Sequence, residues 1–363
     1  MGFSGEKGTL RAIFGAGNGA LSKPTMVFSY YLLKPFYSTM WRLLDIFKKR
    51  EETVFYCHTM VDMENWLPVQ KHLKPIEVVT DKKPVYKELK KQGIKVRRMP
   101  VFPKAVIMCR ISAHKFPSSK VMKIGMKHGV HYFKRISSAK YYSYFRRYLF
   151  GSESDLEIAR QAGVRCGVVG GFPKLDPYLN QAPAKREAGD KPRILFTATY
   201  DKSGMSGIAL WVDRLAELTE EFEVFVSVHP WTSPEYVQKL KNTAGITFIQ
   251  GSPLPYVHQS DVCIVDTSSI TAECCALDKP IISWKLPPAG RSVPEILALI
   301  ADISLQIETF EELLPAIKRS LANPEEYAHK RAEANQIFYD SLDGKAGERS
   351  AQLILELLPE LKP

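Results

Sequence analysis

Two largely apolar runs, 262–265 and 280–284, lie either side of a helical stretch at 270–277. A strand exposed on one face alternates polar and apolar residues. A strand buried on both faces does not, and that is the condition inside a parallel sheet. Strand, crossover helix and strand in this order therefore predict a βαβ unit. The turn between the first strand and the helix reads Asp266-Thr267-Ser268-Ser269. It delivers three hydroxyls to a helix N-terminus, where unpaired N–H groups and the positive dipole end make an anion site. An ordinary capped turn has the same composition, so the partners of this turn have to decide between the two.

The same alternation runs along the chain. Strands are expected at 53–57, 76–80, 94–98, 105–111 and 164–169, and helices at 63–72, 83–92 and 156–162. A polar stretch then breaks the pattern, and strands resume at 193–197, 224–228 and 247–249. Helices are expected at 208–220 and 234–243, with a helical turn at 256–260 and three closing helices at 310–321, 324–339 and 346–358. The fold class expected is α/β, with two Rossmann-like units whose parallel sheets face each other across a cleft. The division expected is a basic aromatic segment at 1–50, a first unit at 51–179, a linker at 180–192, a second unit at 193–340 and a C-terminal helix at 341–363.

Charge divides the chain as sharply. Residues 1–150 hold 29 Lys/Arg against 9 Asp/Glu, a net +20, while the remainder is net −9. Between Glu88 and Glu153 there are 16 basic residues and no acidic one. One half is suited to polyanions and the other is not. Residues 24–50 mix Phe, Tyr, Trp and Leu with Lys34, Arg42, Lys48, Lys49 and Arg50, the pattern of a segment lying in a bilayer interface. A pair of core helices broken near Pro35 is the competing expectation. No zinc-finger, helix-turn-helix or RNP-like signature accompanies the charge, so nucleic acid is not an expected partner. The six cysteines show no CxxC spacing and read as reduced core residues. No signal peptide and no transmembrane helix are expected.

Four features fall at predicted strand C-termini, where ligands of open α/β sheets bind. They are Lys127-His128-Gly129, Gly170-Gly171-Phe172-Pro173-Lys174-Leu175-Asp176, His229-Pro230, and the Asp266–Ser269 turn. Their order resembles the CDP-glycerol glycerophosphotransferases, which build teichoic-acid-type polyol phosphate polymers and their primers. The likeness spans roughly residues 120–285 and includes Asp278-Lys279-Pro280-Ile281-Ile282. Thr267 stands where that family commonly has Tyr.

The resemblance implies a GT-B-like fold, the first unit taking the acceptor and the second the nucleotide donor. It also implies a cytoplasmic location, peripheral on the inner face of the membrane. It assigns the base to the His of the His-Gly pair, here His128, and a neutral imidazole suits that role. His229, Ser268, Ser269 and Thr267 are expected to hold the donor phosphates, and Glu273 and Pro230 to meet the nucleotide. Lys127, Lys134 and Arg135 are expected on a basic acceptor surface, with Lys174 and Asp176 shaping the hinge. No metal and no cofactor beyond the CDP-linked donor are expected; a lipid-linked acceptor and an anionic membrane are the other partners. Two alternatives stay open, a GT-B glycosyltransferase or epimerase using a UDP-sugar, and a non-enzymatic binder of anionic polymer or membrane.

Overall fold

The computed structural model describes residues 23–47, 49, 51–130, 138–182, 187, 189–289 and 292–363. Among the described residues, thirteen strands form two sheets. The first holds β1 (Thr53–Tyr56), β2 (Glu77–Thr80), β3 (Val96–Arg98), β4 (Ala105–Met108), β5 (Met122–Met126), β6 (Arg147–Phe150) and β7 (Gly167–Val169) in the order β3-β2-β1-β4-β5-β6-β7. The second holds β8 (Arg193–Ala198), β9 (Glu223–Val228), β10 (Ile246–Phe248), β11 (Val262–Val265), β12 (Ile281–Trp284) and β13 (Leu305–Ile307) in the order β10-β9-β8-β11-β12-β13. The pairings within both sheets are parallel. The expected GT-B-like α/β class is therefore the observed one. In each sheet the strand order reverses once, between β1 and β4 and between β8 and β11, and ligand crevices form at such reversals.

Both sheets are covered on both faces, which explains their continuous apolar strands. Phe55, Ile107 and Ile124 pack on one side of the first sheet; Val54, Val106 and Phe150 pack on the other. Leu195, Cys263 and Ile281 share one core of the second sheet, and Phe196, Ile264 and Ile282 the opposite one.

The expected helix at 208–220 is corrected to two 3-10 turns, Ile208–Leu210 and Leu215–Leu218. Ile208, Trp211, Val212, Leu215 and Leu218 are all buried, so the apolar spacing that suggested a helix serves short turns as well. Strand β6, helix Pro294–Ile303 and strand β13 were not expected from the sequence. Near the N-terminus no break occurs at Pro35: one helix, Lys23–Ile46, continues through it. The Thr39 hydroxyl donates to the Pro35 carbonyl at 3.0 Å.

The C-terminal helix Ala346–Leu355 returns to the first sheet, placing Ala351 and Ile354 in the core beneath Phe55. Asp176 anchors that return, accepting from the backbone N–H groups of Ala346 (3.1 Å) and Gly347 (2.6 Å). Gly171 turns the chain there at φ +83°, and a Cβ on it would lie 2.8 Å from the Ala346 Cβ. Replacing Asp176 by Ala leaves two buried donors unpaired. The expected loss is about 2 kcal/mol of unfolding free energy, with faster amide exchange across 346–355. Unchanged exchange in that helix would show that Asp176 does not hold it.

Candidate active site

The first half-site gathers at the reversal between β1 and β4. Thr59 and Asp62 form a capping box at the start of helix Met60–Gln70, with Asp62 Oδ2 accepting from the N–H groups of His58 (2.7 Å) and Thr59 (3.0 Å). The buried Asp62 also accepts from Arg110 Nε at 3.0 Å, and Thr59 Oγ1 accepts from Arg110 Nη2 at 2.8 Å. Arg110 follows β4, and its Nη1 approaches His128 Nε2 at 3.4 Å. A guanidinium can only donate, so Nε2 carries the lone pair and Nδ1 carries the proton. That proton points at the Cys109 carbonyl, 3.1 Å away. The fold thus holds His128 in the tautomer whose Nε2 can accept a proton.

The second half-site lies at the reversal between β8 and β11. Asp266 ends β11 fully buried and accepts from the Thr199 N–H at 2.9 and 3.1 Å. Gly207 N–H approaches it at 3.4 Å. Burial pushes this carboxyl up to about 7, against hydrogen bonds from Thr199, Gly207 and neighbouring serine hydroxyls. Ser268 Oγ is buried and makes no hydrogen bond of ordinary geometry among the described residues. Ser269 precedes helix Ile270–Ala276 without capping it through its side chain. Thr267 behaves differently, donating its hydroxyl proton to the Met205 carbonyl at 2.9 Å. Its expected role as a phosphate donor is therefore not supplied in this arrangement.

His229 follows β9, and its Nδ1 accepts from the Trp231 N–H at 3.1 Å, which leaves the ring proton on Nε2. Its ring lies 5.3 Å from Tyr200 and 5.2 Å from Trp231, centroid to centroid. Pro230 is exposed, and Trp231 is 61% exposed beside it.

The two halves are joined through Lys174. Its buried ammonium meets Glu273 at 3.1 and 3.3 Å and Glu64 at 3.3 Å, and Ser252 donates to Glu64 at 2.8 Å. Burial opposes the charge on Lys174, but the two carboxylates outweigh it and hold the ammonium above its usual range. Glu64 lies on the helix whose first turn fixes Arg110, and Glu273 lies on the helix that follows Ser269. Lys174 thus ties the helix bearing Glu64 to the helix bearing Glu273, and the Glu273 carboxylate is engaged there.

The expectation of a surface Lys127 is corrected. It is 3% exposed, its Nζ lies 3.1 Å from Asp155, and it sits over the Phe150 ring at 4.7 Å. Lysine following a fully buried strand leaves its ammonium needing an internal partner, and Asp155 supplies it. Lys134 and Arg135 lie outside the described residues. Arg110, Asp62, Glu64 and Tyr200 were missed; the sequence signal for Arg110 was a cation ending an apolar strand.

Because the folded carboxyl of Asp266 sits at about 7 and an unfolded one near 4, the native state holds the extra proton between those values. Its contribution to stability is complete below the lower value and is lost as pH rises through about 7. The wild-type chain should lose about 2 to 3 kcal/mol more than Asp266→Asn between pH 5 and pH 8, by denaturant midpoints. Parallel pH profiles for the two proteins would refute this placement of the proton.

The chain's family model is that of the CDP-glycerol:poly(glycerophosphate) glycerophosphotransferases, matched over residues 159–356, more than half of the chain. No curated protein matches. Among solved structures, the wall teichoic acid polymerase TagF superposes with a TM-score of 0.64 at 13% identity, covering 94% of this chain and 99% of that one. A TagF variant soaked with CDPG gives 0.66 at 12% identity with the same coverage. A co-structure of S. aureus MnaA with UDP gives 0.58 at 16%, covering 86% and 99%. These likenesses establish the shared two-sheet fold, and the family match goes further. The chain belongs to the CDP-glycerol:poly(glycerophosphate) glycerophosphotransferase family and is an enzyme of that class.

Proposed function

We propose that the chain transfers glycerol phosphate from CDP-glycerol to a polymer or lipid-linked hydroxyl, with His128 as the base. The observation that carries this reading is the fixed tautomer of His128, its Nε2 lone pair beside Arg110 at a sheet reversal. The acceptor hydroxyl would replace the long 3.4 Å contact of Arg110 at Nε2, and its oxygen attacks the phosphorus bearing glycerol as its proton passes to Nε2. The bond from that phosphorus to the bridging oxygen breaks, and CMP leaves. Arg110, held by Asp62 and Thr59, keeps a positive charge beside the incoming oxygen. His229, donating from Nε2, and the Ser268-Ser269 turn would take the diphosphate, since they follow β9 and β11, the two strands that flank β8. This reading uses no metal, the charge being met by His229 and Arg110.

We also propose attachment to the inner face of a membrane. Among the described residues, no helix is long and apolar enough to cross a bilayer. Helix Lys23–Ile46 docks through Tyr30, Tyr37 and Trp41, while Phe28, Leu32, Phe36, Leu43 and Phe47 face outward, Phe36 at 76% exposure. Such a stripe lies naturally in an interface.

The base assignment is tested by CMP release from CDP-glycerol. His128→Ala should slow it by about 10²–10⁴-fold with donor affinity retained, whereas His229→Ala should weaken donor binding itself. Near wild-type turnover of His128→Ala would overturn the base assignment; consumption of a UDP-sugar with CDP-glycerol untouched would overturn the donor. Attachment is tested by exchanging Leu32, Phe36 and Leu43 for Ser. Each loss of burial in the interface should weaken vesicle binding about tenfold or more, and unchanged pelleting would count against it.

A further inference from the structure

The docked helix and the loop before β5 enclose an open groove of about 470 Å³. Lys34, Ser38 and Arg42 line it from the helix, and Ser118, Ser119 and Lys120 from the loop. It lies apart from the catalytic edge. Ser118–Lys120 precede β5 and His128 follows it, so a five-residue strand, about 16 Å long, separates them.

Three cations and five hydroxyls, those of Tyr31 and Thr39 included, meet here, and no carboxylate is among the described residues that line the groove. Below it the buried Lys123 donates to the carbonyls of Ser118 (2.7 Å) and Val121 (3.0 Å). Burial, with Lys34 adding to it, brings that ammonium down to about 8. Like charges gathered in one concavity raise the energy of the empty groove, and an anion lowers it. Lysine, arginine and hydroxyl donors together are the groups that recognise phosphate oxygens. Lys120 lies over the Trp41 ring at 5.5 Å, which fixes one wall.

The helix says which phosphate. At 3.6 residues per turn, positions 34, 38 and 42 form one stripe. On one side of that stripe are the docked residues Tyr30, Tyr37 and Trp41; on the other are the exposed Phe28, Leu32, Phe36 and Leu43. With the apolar stripe in a bilayer, the cations stand at headgroup depth against the protein body. We propose that this groove binds the phosphodiester headgroup of an anionic membrane lipid, a site that rests on the membrane attachment above and specifies what it grips.

Binding of the full chain to phosphatidylcholine vesicles with and without phosphatidylglycerol tests the groove. Lys34→Gln with Arg42→Gln should weaken binding to the anionic vesicles about 30-fold. Ser38→Trp, which fills the groove and removes no charge, should also weaken it severalfold. Lys90→Gln with Lys91→Gln removes the same charge outside the groove and should change binding less than about twofold. If both charge variants lose equally and Ser38→Trp loses nothing, the groove is overturned while membrane attachment stands. If the wild-type chain pellets with neither vesicle, attachment and groove fall together. Thermal melts of each variant separate lost binding from lost folding.

Discussion

The buried ion cluster around Lys174 is the interaction on which the site's geometry depends. Two carboxylates from different helices converge on one buried ammonium, which is tolerable there because they neutralise it. Removing one would leave the rest uncompensated, a cost that fixes the relative placement of the two helices bearing Glu64 and Glu273. Those helices begin at the two half-sites. The first turn of one positions Arg110 at His128, and the other starts from the Ser268-Ser269 turn. Apolar contact runs beside the cluster, with Phe172 and Leu175 packed into one core of the second sheet.

Both halves use the same device. At a sheet reversal the two adjacent crossover connections leave toward opposite faces, so the strand ends there are uncovered. Each reversal carries a carboxylate that touches backbone N–H groups. Asp62 orders the loop after β1, and Asp266 orders the loop after β8. The two carboxylates differ in their other partners. Asp62 keeps a cationic partner and passes its orientation to Arg110 and His128. Asp266 has only neutral donors against its burial, which pushes the carboxyl up to about 7, and the Thr199–Gly207 loop rests on that group.

Most of the architecture was legible because parallel strands buried on both faces leave an unbroken apolar signature. The bounds of Val262–Val265 match to the residue, and those of β1, β2 and β9 to within a residue or so at their ends. Strand β6 was obscured by the basic, tyrosine-rich stretch around it. The site was legible at His128, His229 and Ser268 because those residues stand at strand ends. What periodicity does not carry is where a side chain spends its protons. Thr267 and Ser268 are neighbours in one turn, yet one hydroxyl is committed to Met205 and the other lies by the Asp266 carboxyl. Nor could sequence place the Lys127 ammonium against Asp155, because that pairing joins residues 28 apart through the tertiary fold.

The net +20 of residues 1–150 looked like one broad basic surface, and the fold distributes it differently. Lys127 and Lys123 are interior, the first paired with Asp155 and the second held by carbonyls. Arg110 is spent on Asp62 and Thr59 beside His128. What remains at the other end of β5 is the Lys34, Arg42 and Lys120 group beside an exposed apolar stripe. The charge excess therefore serves three physical tasks: neutralising an interior carboxylate, holding a histidine's proton in place, and presenting cations next to apolar surface. Only the last needs a partner outside the chain. That group sits on a docked helix, at the opposite strand end from His128, so the two charged features of the first sheet face different ways.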